Sequence, residues 1–324
     1  MRLAVFGAGA VGCHIAARLA RAGIDPVLVG RPPTVAAIRT GGLRLVSDAE
    51  DFTVPVSAED DTCRLGTQDA VIVALKAHTL GAALDDLVPL VGPDTVVTFA
   101  VNGIPWWYGE SLAMPVAALA RLDPGGRLKR KIGAARTVGC VVHSANAIIA
   151  PGVVRNVSSR NRFLLGAAAG SPHPRQAELA AILAAGLDEV GITDNIRAAV
   201  WEKLLHNLAA SSIGCLTLSR ADQIASNPGL AVLYRQVLAE ARAIAAALGI
   251  TLPDDASERL AHMAGLPHRS SMQQDLIAGR PLELDAQILV VRDLARALSC
   301  PAPVLEILSI LLEARTRSSQ GSST

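Results

Sequence analysis

The sequence predicts an α/β protein, with an N-terminal Rossmann-type doubly wound sheet followed by an all-helical C-terminal domain. Three observations carry that expectation. Short β-rich apolar runs alternate with helically patterned segments over the first third of the chain. A glycine-rich turn separates the first such run from the first helical pattern. Beyond about Gly166, apolar residues fall mostly at three- and four-residue spacing.

Leu3–Phe6 is a short apolar run, and Val11–Ala22 carries Val11, Ile15, Leu19 and Ala22 on one helical face. Val27–Val29 reads as a second strand ending in Gly30-Arg31. Ala70–Leu75 and Thr95–Val101 are continuous β-rich runs, the pattern of strands buried on both faces of a parallel sheet. Thr79–Leu87 between them reads as a crossover helix. From Arg136 to Leu165 short β segments continue or flank the sheet, with a Pro-Gly turn at 151–152. Helical spacing then marks Arg175–Leu187, Ile196–Ala210, Leu230–Leu248 and Leu284–Leu298. The boundary is placed near residue 190, within ten residues, giving a nucleotide-binding domain over 1–190 and a helical substrate and catalytic domain over 191–324. The Ser-rich end, Arg317–Thr324, reads as frayed.

Composition narrows the function classes. A formal charge of +1 gives no electrostatic case for nucleic acid or an anionic membrane as partner. Mean hydropathy is high, at +0.37, yet no apolar run approaches the roughly 20 residues of a spanning helix. The start Met1-Arg2-Leu3 enters a strand pattern at once, without a signal-peptide n-region, so a cytoplasmic location is expected. Five scattered cysteines lack C-x-x-C spacing, and seven histidines form no tight ligand set, so neither a disulfide framework nor a metal is expected. No serine sits in G-x-S-x-G, which removes the support for hydrolase chemistry. The apolar C-terminal helices could pair between chains as a homodimer or pack internally.

Gly7-Ala8-Gly9-Ala10-Val11-Gly12 is G-x-G-x-x-G with a strand before it and a helix after it. Gly7 permits the tight turn, Gly9 lets a pyrophosphate approach the backbone, and Gly12 allows close helix–strand packing, while the helix N-terminus offers free N–H groups. At the end of the second strand an NAD site usually carries Asp or Glu for the ribose 2′-OH. This chain has Gly30-Arg31 and no carboxylate until Asp48, so the cofactor expected is NADP(H), with Arg31 on the 2′-phosphate.

Hydride transfer to a ketone leaves negative charge on oxygen, which calls for a positioned acid, and the substrate carboxylate needs polar partners. Lys203 and Asn207 lie four apart in the apolar helix Trp201–Asn207, costly polar groups unless they line a binding site. Lys76 and Asn102 each follow a buried strand, where doubly wound sheets bind ligands, although turn residues commonly stand there too. Ser271 lies in the polar run Ser270–Asp275 with Glu283 twelve residues on, a pattern that a plain helix start would also give. Trp106 and Trp107 could floor a substrate site, but adjacent aromatics more often pack into a core or between domains.

In order and spacing, GAGAVG at 7–12, LKA at 75–77, NGIPWWY at 102–108, DPGG at 123–126, WEKLLHN at 201–207 and SSMQQDLIAGRPLEL at 270–284 resemble the ketopantoate reductase (2-dehydropantoate 2-reductase) family along nearly the whole chain. NGIPWWY looks like a particular subset of it. The resemblance implies NADPH-dependent reduction of 2-dehydropantoate to pantoate, in the route to pantothenate and coenzyme A. It implies Lys203 as general acid to the nascent alkoxide and Glu283 as the carboxylate that holds this lysine or contacts substrate. Asn102 and Ser271 match binders of substrate polar groups, Asn207 a hydroxyl-binding asparagine, and Lys76 a lysine near the nicotinamide ribose and substrate. Domain closure over the cofactor is expected for such an enzyme.

The chain departs from the family pattern at Ser211, where asparagine is frequent, at Leu289, where glycine is frequent, and around Gly166-Ala167, where an acidic residue is frequent. A bulkier or less hydrogen-bonding pocket would suit another small branched 2-oxo acid, which keeps that reading open. A non-catalytic NADP-binding sensor is the reading from another class; Lys203 and Glu283 argue against it, since a sensor needs no proton donor. A β-hydroxyacid dehydrogenase would share the K-x-x-x-N spacing but not the late S-M-x-x-D…E block.

Overall fold

The computed structural model describes residues 1–110 and 116–321. The chain forms two compact units, Met1–Leu112 with Asp123–Ile196, and Ala113–Leu122 with Arg197–Thr324. A single cut near residue 190 therefore misses the segment Ala113–Leu122, which belongs with the helical unit.

The described residues of the first unit form twelve strands: β1 (Leu3–Phe6), β2 (Val27–Val29), β3 (Leu43–Val46), β4 (Asp51–Val54), β5 (Ser57–Glu59), β6 (Gln68–Val73), β7 (Val91–Phe99), β8 (Thr137–His143), β9 (Asn146–Ala150), β10 (Val153–Asn156), β11 (Arg162–Ala167) and β12 (Glu189–Ile192). Eight of them form one sheet, in the order β12-β11-β8-β7-β6-β1-β2-β5. From β8 to β5 all neighbours are parallel, and β11 joins β8 antiparallel. Its central strands are buried on both faces: Ala4, Val5, Val71, Ile72, Val96 and Val97 are all inside, which is why their sequences are unbroken apolar runs.

Strands β4-β3-β10-β9 make a second, four-stranded sheet. In β3, Leu43 and Leu45 are buried while Arg44 is exposed, the alternation of a sheet wet on one face.

Helices α1 (Ala10–Arg21), α2 (Pro32–Gly41) and α3 (Leu84–Leu87) are followed by α4 (Val116–Leu119), which belongs to the other unit, and then by α5 (Arg127–Lys131) and α6 (Gln176–Gly186). Helix α1 buries Cys13, Ile15, Ala16, Ala17 and Leu19, while Ala22 is its exposed C-cap. The crossover helix expected over Thr79–Leu87 is not one helix. A single 3-10 turn at Ala77–Thr79 is followed by turns through Gly81 and then by one turn of α-helix at Leu84–Leu87. Glycine in the middle of so short a segment removes the propensity that would have joined the two.

The second unit continues with α7 (Ile196–Thr217), α8 (Ala221–Ser226), α9 (Pro228–Ala247), α10 (Ala256–Ala264), α11 (Ser271–Ile277), α12 (Val290–Ala297) and α13 (Pro303–Gly321), with a π-helical turn at Asp285–Leu289 leading into α12. Trp201, Leu205, Leu208, Tyr234, Val237 and Leu294 are among its buried side chains. Arg121 explains why the segment with α4 joins this unit: its Nε donates to Asp293 Oδ2 at 2.7 Å and it also pairs with Asp285. Helix α13 leaves Ile307, Ile310 and Leu311 exposed. Among the described residues, no helix is long and apolar enough to cross a membrane.

Candidate active site

Four adjacent parallel strands end side by side in the first unit, in the order β7-β6-β1-β2. Backbone bonds continue the register past the strand ends: Ala74 N donates to Phe6 O at 2.9 Å and Ala100 N to Val73 O at 2.9 Å. The chain segments that follow are those carrying Asn102, Lys76, Gly7–Gly12 and Gly30-Arg31. They therefore line one rim of one sheet, at the carboxyl ends where such sheets bind ligands.

The glycine turn fits a dinucleotide pyrophosphate. Gly7 has φ +120°, and a Cβ there would lie 2.6 Å from Ala74 O. A Cβ on Gly12 would fall 1.9 Å from Gly7 O, so helix α1 can approach the turn only without a side chain. Gly9 is different. Its φ of −86° and ψ of −172° suit any residue, and a Cβ would meet nothing closer than Ala74 O at 3.8 Å. The fold itself does not demand glycine at position 9; a ligand pressed against the backbone would. Helix α1 also begins without a side-chain cap and without an acidic residue in its first turn, leaving its N–H groups for an anion.

Lys76 and Asn102 are half-buried at the ends of β6 and β7. Lys76 O accepts from Thr79 Oγ1 at 2.8 Å, which fixes the turn that carries the lysine. Behind Asn102, Trp106 packs edge-to-face on Phe99 with centroids 5.7 Å apart. The Trp107 ring lies so close to β8 that a Cβ on Gly139 would be 2.7 Å from it. Both indoles are buried within the first unit, the packing reading of that pair.

Arg31 is exposed at the N-cap of α2, and its guanidinium makes no hydrogen bond or ion pair among the described residues. Sequence reasoning missed its neighbour. Strand β5 pairs with β2 so that Glu59 sits beside Val29, placing a carboxylate at this rim from a distant segment. The N–H groups of Asp60 and Asp61, at 2.9 and 3.2 Å, and then Arg39 hold the Glu59 carboxyl down to about 2. Arg39 and Arg64 pair with it at 3.2 and 3.5 Å, offsetting its charge.

In the helical unit, Lys203 and Asn207 lie one turn apart on α7, both half-buried among Trp201, Leu204, Leu205 and Leu208. The Asn207 amide makes no side-chain hydrogen bond among the described residues. Glu283 is buried, and Gln287 Nε2 donates to its Oε2 at 3.4 Å. The polar run at 270–275 divides its work. Ser270 is the N-cap of α11 and accepts from Gln273 N at 3.2 Å, whereas Ser271 is exposed with its hydroxyl unengaged among the described residues. Gln273 ties α11 to the end of α7, its Nε2 donating to Ser219 O at 3.1 Å.

Between Lys203 and Asn207 on this helix stands His206, whose Nδ1 meets Tyr234 Oη at 3.1 Å. That partnership has no local sequence signal, because Tyr234 is 28 positions away on α9. No group of three or more His, Cys, Asp or Glu able to hold a metal occurs among the described residues, and none of the five cysteines is in a disulfide.

Comparison with known proteins finds matches over both units. Residues 3–169 match the family model described as ketopantoate reductase PanE/ApbA, and residues 195–316 match the model of its C-terminal part. The chain is 39% identical to a 2-dehydropantoate 2-reductase of Mesorhizobium japonicum, over 96% of this chain and 97% of that protein. A candidate ketopantoate reductase from Ralstonia solanacearum superposes with a TM-score of 0.90 at 36% identity, covering 98% of each chain. D-mandelate dehydrogenase, solved with NADH and anilino(oxo)acetate, shares the fold at a TM-score of 0.82 and 19% identity, covering 99% of each chain. With both parts of the model matched in order, the chain belongs to the ketopantoate reductase PanE/ApbA family.

Proposed function

We propose that this protein reduces 2-dehydropantoate to pantoate with NADPH, the first unit holding the cofactor and the helical unit supplying the proton and most substrate contacts. The observation that carries this reading is the rim of the sheet, where Gly9, which the fold itself leaves free to bear a side chain, stands before a bare helix N-terminus and beside Lys76 and Asn102. A bound NADPH supplies the hydride that reaches the ketone carbon.

The chain's own residues do the rest. Gly7–Gly12 and the first turn of α1 receive the pyrophosphate, and Arg31, a cation with no side-chain partner among the described residues, takes the 2′-phosphate. As the carbonyl carbon accepts hydride, its oxygen becomes an alkoxide and takes a proton from the Lys203 ammonium, which is restored from solvent. Glu283, buried in the same unit, stabilises the charged form of that lysine. Asn102 and Ser271 bind the substrate's polar groups, Asn207 offers its free amide to a hydroxyl, and Lys76 serves the nicotinamide ribose and the substrate.

The test is NADPH oxidation, followed by absorbance, with 2-dehydropantoate beside a panel of other short 2-oxo acids. Preferential turnover of 2-dehydropantoate is expected. Turnover confined to another acid would refute the substrate and keep the chemistry; NADPH binding without any turnover would refute the enzyme.

A further inference from the structure

A small open recess lies wholly within the helical unit. His206 and Ala210 of α7 line it, with Ser219, Ala221, His268 and Ser270. Its walls are tied together. Ala221 N donates to His268 O at 2.9 Å, and Gln273 reaches both Ser219 O and Ser270 Oγ. Among the described residues, no lysine or arginine lines it.

Tyr234 fixes what His206 shows to this recess. The phenol is fully buried, and His206 Nδ1 is the one hydrogen-bond partner of its hydroxyl among the described residues. A buried O–H without an acceptor is costly, so the tyrosine donates and Nδ1 accepts. The neutral imidazole then carries its proton on Nε2, which has no protein partner among the described residues. Burial pushes the imidazole down to about 4 and the phenol up to about 12, so near neutral pH both keep these forms. His14 provides the contrast: it is fully buried in the first unit, with neither ring nitrogen hydrogen-bonded among the described residues.

Lys203, His206, Asn207 and Ala210 follow i, i+3, i+4, i+7 spacing and share one face of α7. The axial rise from Lys203 to His206 is about 4.5 Å. A ketone oxygen and an oxygen two carbons further along a small acid lie a comparable distance apart.

We propose that His206 is a specificity-determining residue whose Nε2–H donates a hydrogen bond to a neutral oxygen, a hydroxyl, that the 2-oxo acid carries beyond its reacting ketone. The absence of a lining cation favours a hydroxyl over a carboxylate at this point. This rests on the reading of the chain as a 2-oxo acid reductase.

The experiment measures kcat/KM for 2-dehydropantoate and for its deoxy analogue 3,3-dimethyl-2-oxobutanoate, in the wild type, His206→Leu and Tyr234→Phe. The preference for the hydroxylated acid should fall about tenfold or more in His206→Leu. It should fall about threefold in Tyr234→Phe, which keeps the packing and releases the tautomer. A histidine that only packs would lower both substrates together, so an unchanged ratio in both variants overturns the proposal. If His206→Leu fails to fold, the ratio in Tyr234→Phe decides. A wild type that turns over neither acid takes the reductase reading down with it, whereas turnover with an unaltered ratio sinks the His206 assignment alone.

Discussion

Substitutions at Gly9 and Gly12 should separate cofactor binding from folding, although both glycines belong to one motif. Gly12→Ala places a methyl 1.9 Å from Gly7 O, a backbone atom that can yield only if helix and turn move apart by more than an ångström. Overpacking of that kind costs about 1–3 kcal/mol. At roughly 2–4 °C per kcal/mol for a unit of this size, the melting temperature should drop by about 2–12 °C. Gly9→Val adds its side chain where the nearest atom is 3.8 Å from Cβ, in a backbone conformation valine accepts. Its stability should change by no more than about 1 kcal/mol, the scale of an N-cap exchange. The same side chain would stand between the pyrophosphate and the N–H groups of α1, so NADPH affinity should fall by about a hundredfold or more, or about 2.8 kcal/mol. Thermal melts and NADPH fluorescence titrations on the two variants provide the assay. Undiminished NADPH binding by Gly9→Val would refute the placement of the pyrophosphate, and a wild-type melt for Gly12→Ala would refute the packing argument.

Lys203→Ala should lower kcat by about 10²–10⁴-fold while leaving NADPH affinity intact, because the proton donor and the pyrophosphate site are on different units. Near-normal kcat would exclude lysine as the acid. Arg31→Ala should raise the KM for NADPH about tenfold and leave NADH kinetics alone, since a charge-assisted contact to the 2′-phosphate is lost; an unchanged NADPH KM would remove Arg31 from the site. His14 is held neutral in the fold, pushed from 6.5 down to about 4, first by burial and then by Arg18. The unfolded chain therefore binds the extra proton first, so this stability is complete above about pH 6.5 and is lost as the pH falls toward about 4. His14→Leu should shrink the stability difference between those limits by roughly 3 kcal/mol, at about 1.4 kcal/mol per pH unit. Denaturant melts across that range with an unaltered acid slope would contradict it.

What the sequence disclosed was what local physics decides. Strands β1, β2, β6 and β7 are legible because buried parallel strands are unbroken apolar runs, and the long helices because their spacing persists over several turns. The glycine motif was legible because its chemistry is contiguous. Helix α3 was overread because apolar spacing across Thr79–Leu87 ignores the weakness of a segment broken by Gly81. Features made by distant pairing stayed hidden. Glu59 reaches this rim of the sheet only through the pairing of β5 with β2, and no local pattern around residue 59 announces it. The Tyr234–His206 contact and the return of Ala113–Leu122 to the helical unit are of the same kind. Of the site residues, Lys203 and Asn207 stood out as polar groups in an apolar helix, whereas Ser271 was hard to tell from the cap beside it, because Ser270 takes the capping role.

The ion pairs of Arg121 bear on how this polypeptide can be divided. Arg121 pairs with Asp285 and Asp293, and the chain leaves the nucleotide-type unit, returns to it, and leaves again at Ile196. A gene fragment starting after Ile196 would lack Arg121, the cation that pairs with Asp285 and shares Asp293 with Arg292. A fragment ending there would keep Arg121 in an internal segment without Asp285 and Asp293. The two halves are thus interleaved rather than strung in series, so recombination between homologues is compatible with this architecture only when the swapped block takes residues 113–122 along with the C-terminal helices.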